Sequence, residues 1–114
     1  MSDCLFCRIV AGEIPADVVW ESEHALAFRD INPQAPTHVQ VIPRKHVPRI
    51  ADFDAQADRE WLSDLFEGAT QVARQEGLGE GFRLVINNGA MAGQSVMHVH
   101  LHVLGGRPLG WPPG

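Results

Sequence analysis

The 114-residue sequence has only two cysteines, Cys4 and Cys7. That is too few for a disulfide framework and fits a reducing, cytoplasmic location. No apolar run approaches the ~20 residues that span a bilayer, so no membrane partner is expected. The opening MSDCLFCRIV lacks the basic region and long apolar stretch of a signal peptide. Basic residues are few and dispersed: nine Lys and Arg face fourteen Asp and Glu, for a net charge of −5, with no basic block between Arg8 and Arg107. Binding to nucleic acid or to an anionic surface needs a cationic face and is not expected. There is no internal repeat, low-complexity tract or Gly/Ser linker, so residues 1–114 read as one domain. There is also no G-x-x-x-x-G-K-[ST] loop and no paired-carboxylate metal motif, which argues against magnesium-dependent phosphoryl transfer.

What is present is a globular chain, 45% apolar. Segments 16–21 (ADVVWE) and 24–30 (HALAFRD) read as two short strands joined by a turn at Glu21-Ser22-Glu23. Residues 32–36 (NPQAP) hold two prolines and form a rigid loop. His38–Pro43 alternates and is rich in β-branched residues, a third strand. Residues 55–76 form the long helix, with Trp61, Leu62, Leu65, Phe66, Ala69, Val72 and Ala73 on one apolar stripe, Asp54 as N-cap and Gly77 as stop. Phe82–Asn87 and Val96–Leu104 supply strands four and five. The order β-β-β-α-β-β with short early links predicts an α+β domain: a five-stranded, mainly antiparallel sheet with the helix on one face.

Six histidines in so short a chain are the compositional oddity, and three of them fall within Val96–Val103. Strand alternation places His98, His100 and His102 on one side, ~6.7 Å from one to the next, with Val99, Leu101 and Val103 facing the helix. A face carrying three imidazoles is a poor core. It suits a metal site or nucleophilic catalysis by a neutral imidazole, and spacing alone does not separate the two. Upstream, residues 87–95 (NNGAMAGQS) form a polar, glycine-containing loop. Its backbone N–H groups and the side chains of Gln94 and Ser95 could meet an anion above the imidazoles. Cys4-x-x-Cys7 reads as a redox pair, as two buried thiols, or as half of a zinc site. His24, at a strand start, is expected to be exposed.

QSVMHVHLHV resembles the His-x-His-x-His signature of the histidine triad (HIT) superfamily, and the resemblance extends through GEIPADVVWE, DINPQAPTH, VIPRKH and the terminal WPPG. The ending and the short length are similar to the Hint branch, the histidine triad nucleotide-binding proteins. This resemblance implies a homodimer with one ten-stranded sheet, and hydrolysis of purine nucleoside phosphoramidates to the monophosphate. By position, His100 would be the nucleophile, His102 would contact the phosphate, His38 would complete the relay, and Ser95 would bond the phosphate and the leaving nitrogen. Asp30 would hold the ribose hydroxyls. Phe6, Ile9, Phe28 and Ile31 would surround the base, with Asn87, Gly93 and Gln94 near the sugar-phosphate, and Trp111 would sit near the partner's site. Left to themselves, Asp30 would start a turn, Phe6, Ile9 and Phe28 would be core, and Trp111 would be a packing anchor. The bacterial zinc-binding members further imply a structural Zn²⁺ on Cys4, Cys7, His46 and His98, with no organic cofactor. Such a closed site would tie the N-terminal segment to the reactive strand and leave two triad histidines for phosphate work. Hydrolysis of dinucleoside polyphosphates, a zinc hydrolase using all three triad histidines, and a nucleotide-binding interaction module are the rival expectations.

Overall fold

Residues 3–114 are described by a computed structural model. Their strands are β1 (Val18–Glu21), β2 (Ala25–Arg29), β3 (Thr37–Pro43), β4 (Phe82–Ile86) and β5 (Leu101–Gly105). All neighbouring pairs are antiparallel, in the order β1-β2-β3-β5-β4. The helices are α1 (Leu5–Val10) and α2 (Arg59–Gln75), with 3₁₀ turns at Ile50–Asp52 and Ala90–Ala92. The expected α+β class and the helix on one sheet face are both present.

Alternation along the central strands sorts two cores. Ala25, Ala27, Val39, Val41, Leu101 and Val103 point at α2 and close on Leu65, Ala69, Val72 and Ala73. Leu26, Phe28 and Ile42 point the other way and meet Phe6 of α1. Gly68 sits inside α2 because the sheet comes that close: a Cβ there would lie 2.7 Å from the Trp20 ring and 3.0 Å from Val41. At the helix end, Arg29 holds Glu76 through two parallel hydrogen bonds of 2.7 and 2.9 Å, tying α2 to β2.

Several expected boundaries move, each for a local reason. The α2 ladder begins at Arg59, four residues after the expected start at Ala55. Asp54 does accept the N–H groups of Gln56 and Ala57, at 2.8 and 2.9 Å, but this closes a separate turn. Asp58 then stands as N-cap with its carboxylate drawn to Lys45 Nζ, 2.6 Å away. The expected apolar stripe is narrower than its spacing suggests: Trp61 and Leu62 are half-buried and Phe66 is exposed. β1 starts at Val18, not Ala16, since the Val18 N–H turns back to the Ala16 carbonyl. β5 starts at Leu101, not Val96, because continuing its register would set Val99 against Pro43, which has no N–H to give. Val99 bonds Val47 instead. α1 is a short helix for which the sequence carried no periodic signal. His24 is not exposed as expected: its ring stacks on Trp61 at 4.3 Å, with Lys45 Nζ 4.7 Å from the Trp61 ring centroid.

Candidate active site and metal centre

The ladder begins only at Leu101 and the chain bends at residues 96–98, where the His98 N–H turns back to the Val96 carbonyl, yet the side chains from His98 onward keep the expected alternation. Val99 and Leu101 are buried toward α2. The three imidazoles lie on the opposite side, under α1: the Phe6 ring stands 5.8 Å from His98 and 5.2 Å from His100.

His98 is wholly buried and faces a different set of partners from the other two. Its Nε2–H donates to the Pro43 carbonyl at 2.9 Å. That leaves the Nδ1 lone pair facing Cys4 Sγ (3.4 Å), Cys7 Sγ (3.6 Å) and His46 Nδ1 (3.3 Å), while Cys7 Sγ is 3.4 Å from His46 Nδ1. A tetrahedral zinc site with bonds of ~2.0–2.3 Å has ligand–ligand edges of about 3.3–3.8 Å, and these separations match it. A backbone carbonyl that orients the far nitrogen is the usual outer support of a metal-bound histidine. Cys4 and Cys7 reach the cluster from the start of α1, where Cys4 is the N-cap and its Sγ accepts the Cys7 N–H. Cys4, Cys7, His46 and His98 are thus positioned to hold a metal ion compatible with zinc.

His100 and His102 line a cavity of about 710 Å³ between α1 and the sheet. His100 donates from Nδ1–H to the His98 carbonyl at 2.9 Å, which makes Nε2 the nitrogen that carries the lone pair whenever the ring is neutral. His102 Nδ1 lies 2.8 Å from Nε2 of buried His38, whose Nδ1 accepts the Gln34 N–H at 3.0 Å. Burial is the main cause that lowers the pKa of His102, to about 4, helped by His100 and His38 and opposed by Asp30. Burial likewise lowers His38, against the pull of Asp30. Both rings are therefore neutral at pH 7, and the direction of the chain follows: Gln34 N–H to His38, His38 Nε2–H to His102 Nδ1, and a proton left on His102 Nε2.

Asp30, His38 and His102 also stand close enough together to suggest a metal. The Gln34 N–H argues otherwise. It holds His38 Nδ1 as an acceptor, so Nε2 keeps its proton and offers no lone pair to an ion. The geometry describes a hydrogen-bonded chain that fixes the His102 tautomer.

Of the residues expected around a nucleotide, Phe6, Ile9, Phe28, Asp30, Ile31, Asn87, Gly93 and Ser95 all border this cavity. His38 lies behind it, reaching it only through His102. One expectation changes, that for Gln94. Gln94 is buried and fully engaged within its own loop: Oε1 accepts the Gly89 N–H at 2.7 Å, and Nε2 donates to the carbonyls of Pro48 and Val96 at 2.6 and 3.0 Å. It shapes the loop and has no donor left for a phosphate. Trp111 is 83% exposed and does not border the cavity of its own chain. Gln40, absent from the expected site, does border it and binds Asp30. The alternation His38-Val39-Gln40 in β3 already placed it on the histidine face.

A HIT domain family model matches residues 11–109. An uncharacterized HIT-like protein of Synechocystis is 51% identical over 98% of this chain and 97% of its own length. A HIT family hydrolase from Legionella pneumophila superposes with a TM-score of 0.94 at 53% identity, over 98% of this chain and all of the other. A histidine triad nucleotide-binding protein from Candida albicans does so at 0.83 and 32% identity, over 96% and 83% of the two chains. The cavity, the histidine hydrogen-bond chain and the candidate metal site are therefore those of a chain that belongs to the HIT domain family.

Proposed function

We propose that this protein is a Hint-type hydrolase of purine nucleoside 5′-phosphoramidates, working through a nucleotidyl group carried on His100. The observation that carries the reading is the bond from His100 Nδ1–H to the His98 carbonyl. It selects the tautomer in which Nε2 is the nitrogen available to attack from the neutral ring, on the wall of a cavity wide enough for a nucleotide.

In the first displacement His100 Nε2 bonds to the α-phosphorus as the P–N bond breaks. The departing amine takes a proton from the Ser95 hydroxyl, which recovers one from solvent; that Ser95 borders the cavity supports this role. His102, neutral and protonated on Nε2, donates to the phosphate oxygens, with His38 holding that tautomer from behind. In the second displacement water attacks phosphorus, the Nε2–P bond breaks, and the monophosphate leaves with His100 regenerated. Asp30 binds the ribose hydroxyls, Asn87 and Gly93 line the sugar-phosphate, and Phe6, Ile9, Phe28 and Ile31 enclose the base.

Cys4, Cys7, His46 and His98 hold a structural Zn²⁺. All four positions of that site are taken by protein, so its contribution is to anchor α1, and with it Phe6, against the histidine segment. The protein acts in the cytoplasm as a homodimer of one-domain chains spanning 1–114. What favours the dimer is β4, which lies at an edge of the sheet with no strand beyond it among the described residues. Phe66 and Phe82 are also exposed. A shared sheet would cover that edge and bring Trp111 near the partner's cavity.

Side-by-side turnover of an adenosine phosphoramidate and a diadenosine polyphosphate tests the reading. Faster cleavage of the P–N substrate supports it, and a preference for the P–O–P substrate refutes it.

A further inference from the structure

β3 carries Gln40 two residues after His38, on the same face. In the sheet register Gln40 stands opposite Phe28 of β2 on one side and His102 of β5 on the other. All three border the same cavity. Gln40 is thus the polar middle of a row that runs from the base-enclosing wall to the phosphate-facing histidine.

Its carboxamide is committed in an unusual way. Nε2 donates to Asp30 Oδ2 at 2.8 Å. A carboxylate accepts only, so the amide orientation is settled: the NH₂ faces Asp30 and Oε1 points away. Oε1 is buried and finds no hydrogen-bond donor among the described residues. A side chain kept for stability alone would not leave its own carbonyl orphaned, since an apolar residue of similar size would avoid that cost.

The Asp30 carboxylate has competing claims to resolve. Oδ1 accepts the Asn32 N–H at 2.8 Å. Oδ2 lies 3.4 Å from His38 Nε2, just beyond a hydrogen bond, while that same nitrogen donates to His102 at 2.8 Å. Without a donor on Oδ2, a small rotation would turn the carboxylate onto His38 and away from the cavity. With Gln40 on one oxygen and Asn32 on the other, the plane is held at both ends, and each oxygen keeps a lone pair for a ligand hydroxyl. Two acceptors at the spacing of one carboxylate match a vicinal diol.

We infer that Gln40 is the positioning residue that holds Asp30 for the 2′,3′-diol of a ribonucleotide, so that this protein discriminates ribo- from 2′-deoxyribonucleotides through the Gln40–Asp30 pair. The inference rests on the nucleotide reading above. It is tested by calorimetric binding of adenosine 5′-monophosphate and its 2′-deoxy analogue to the full chain, which requires no turnover. Wild type should bind the ribonucleotide more tightly, and Gln40→Leu should lose about tenfold of that preference, mainly through weaker binding of the ribonucleotide. Its melting temperature should be unchanged or higher, because the orphaned carbonyl is gone. In an Asp30→Asn background, Gln40→Leu should have no further effect on the preference.

A Gln40→Leu protein that keeps the wild-type preference overturns the inference and leaves the nucleotide reading standing. So does a variant that melts lower and loses both nucleotides in equal proportion, the mark of a merely structural residue. Equal wild-type affinity for the two nucleotides overturns it as well. If wild type binds neither, the nucleotide reading has failed and the inference falls with it. Gln40→Met repeats the test should the leucine variant not fold.

Discussion

Lowering the pH should unfold this protein partly through His102. Its pKa falls from 6.5 to about 4 on folding, chiefly because burial penalises the imidazolium, with the neighbouring His100 and His38 adding to the effect. A group whose pKa is lowered by folding binds its proton more readily when unfolded. Its contribution is therefore present above pH 6.5 and drains away as the pH falls toward 4. Between pH 7 and pH 5 that linkage amounts to about 2 kcal/mol. The measurement is urea denaturation of wild type and His102→Gln at both pH values, read as the difference of differences. Comparing the two proteins cancels acid effects they share, including those of His98 and any bound metal, while any change at His38, which bonds His102, counts with the His102 effect. Wild type should lose about 2 kcal/mol more than the variant over that interval. Parallel losses would mean that His102 is neither desolvated nor neutral as described, and the direction assigned to the His38–His102 bond would go with it.

Three further outcomes follow from the packing and the cluster. Cys4→Ser should reduce bound zinc, measured by elemental analysis, from one per chain and lower the melting temperature by about 10 °C, an effect of a few kcal/mol; unchanged metal content would contradict the ligand assignment. Leu65→Ala, emptying a fully buried site between α2 and the sheet, should cost about 2–5 kcal/mol in chemical denaturation. Gly68→Ala should destabilise by about 1–3 kcal/mol despite the roughly 1 kcal/mol gained in helix propensity, because the new methyl meets Trp20 and Val41; a more stable variant would show that the contact relaxes freely.

How much was legible in the sequence depended on the range of the interaction that decided each feature. Alternation in residues 98–103 put the three histidines on one side, and that held even where the ladder did not form. The five strands, their order of type and the long helix followed from local periodicity. Features settled by distant partners were not legible. His24 looked like a surface residue until α2 brought Trp61 against it. Phe66 fits the apolar spacing of its helix, yet it is exposed, while Leu65 beside it is the residue that the sheet buries. Asp54 has the chemistry of an N-cap, yet the choice between a separate turn and the helix start was made by Lys45 capturing Asp58. Gln94 carries the donors a phosphate would want, and only the folded loop shows them spent on Pro48 and Val96. The hydrogen-bonded chain joins His38 to His102 across 64 residues, and its direction is set by the Gln34 N–H, which no side-chain motif encodes.

The central claim is that His100 Nε2 takes the nucleotidyl group. The most direct measurement is rapid quench of the protein with an adenosine phosphoramidate in alkaline denaturant, where a histidine–phosphorus bond survives, followed by proteolysis and mass spectrometry of the peptide that carries residues 96–107. The account predicts an adenylyl group on His100 that is absent from His100→Ala, whose turnover is abolished while nucleotide binding persists. An adduct on His98, His102 or Ser95, or undiminished turnover by His100→Ala, would contradict it.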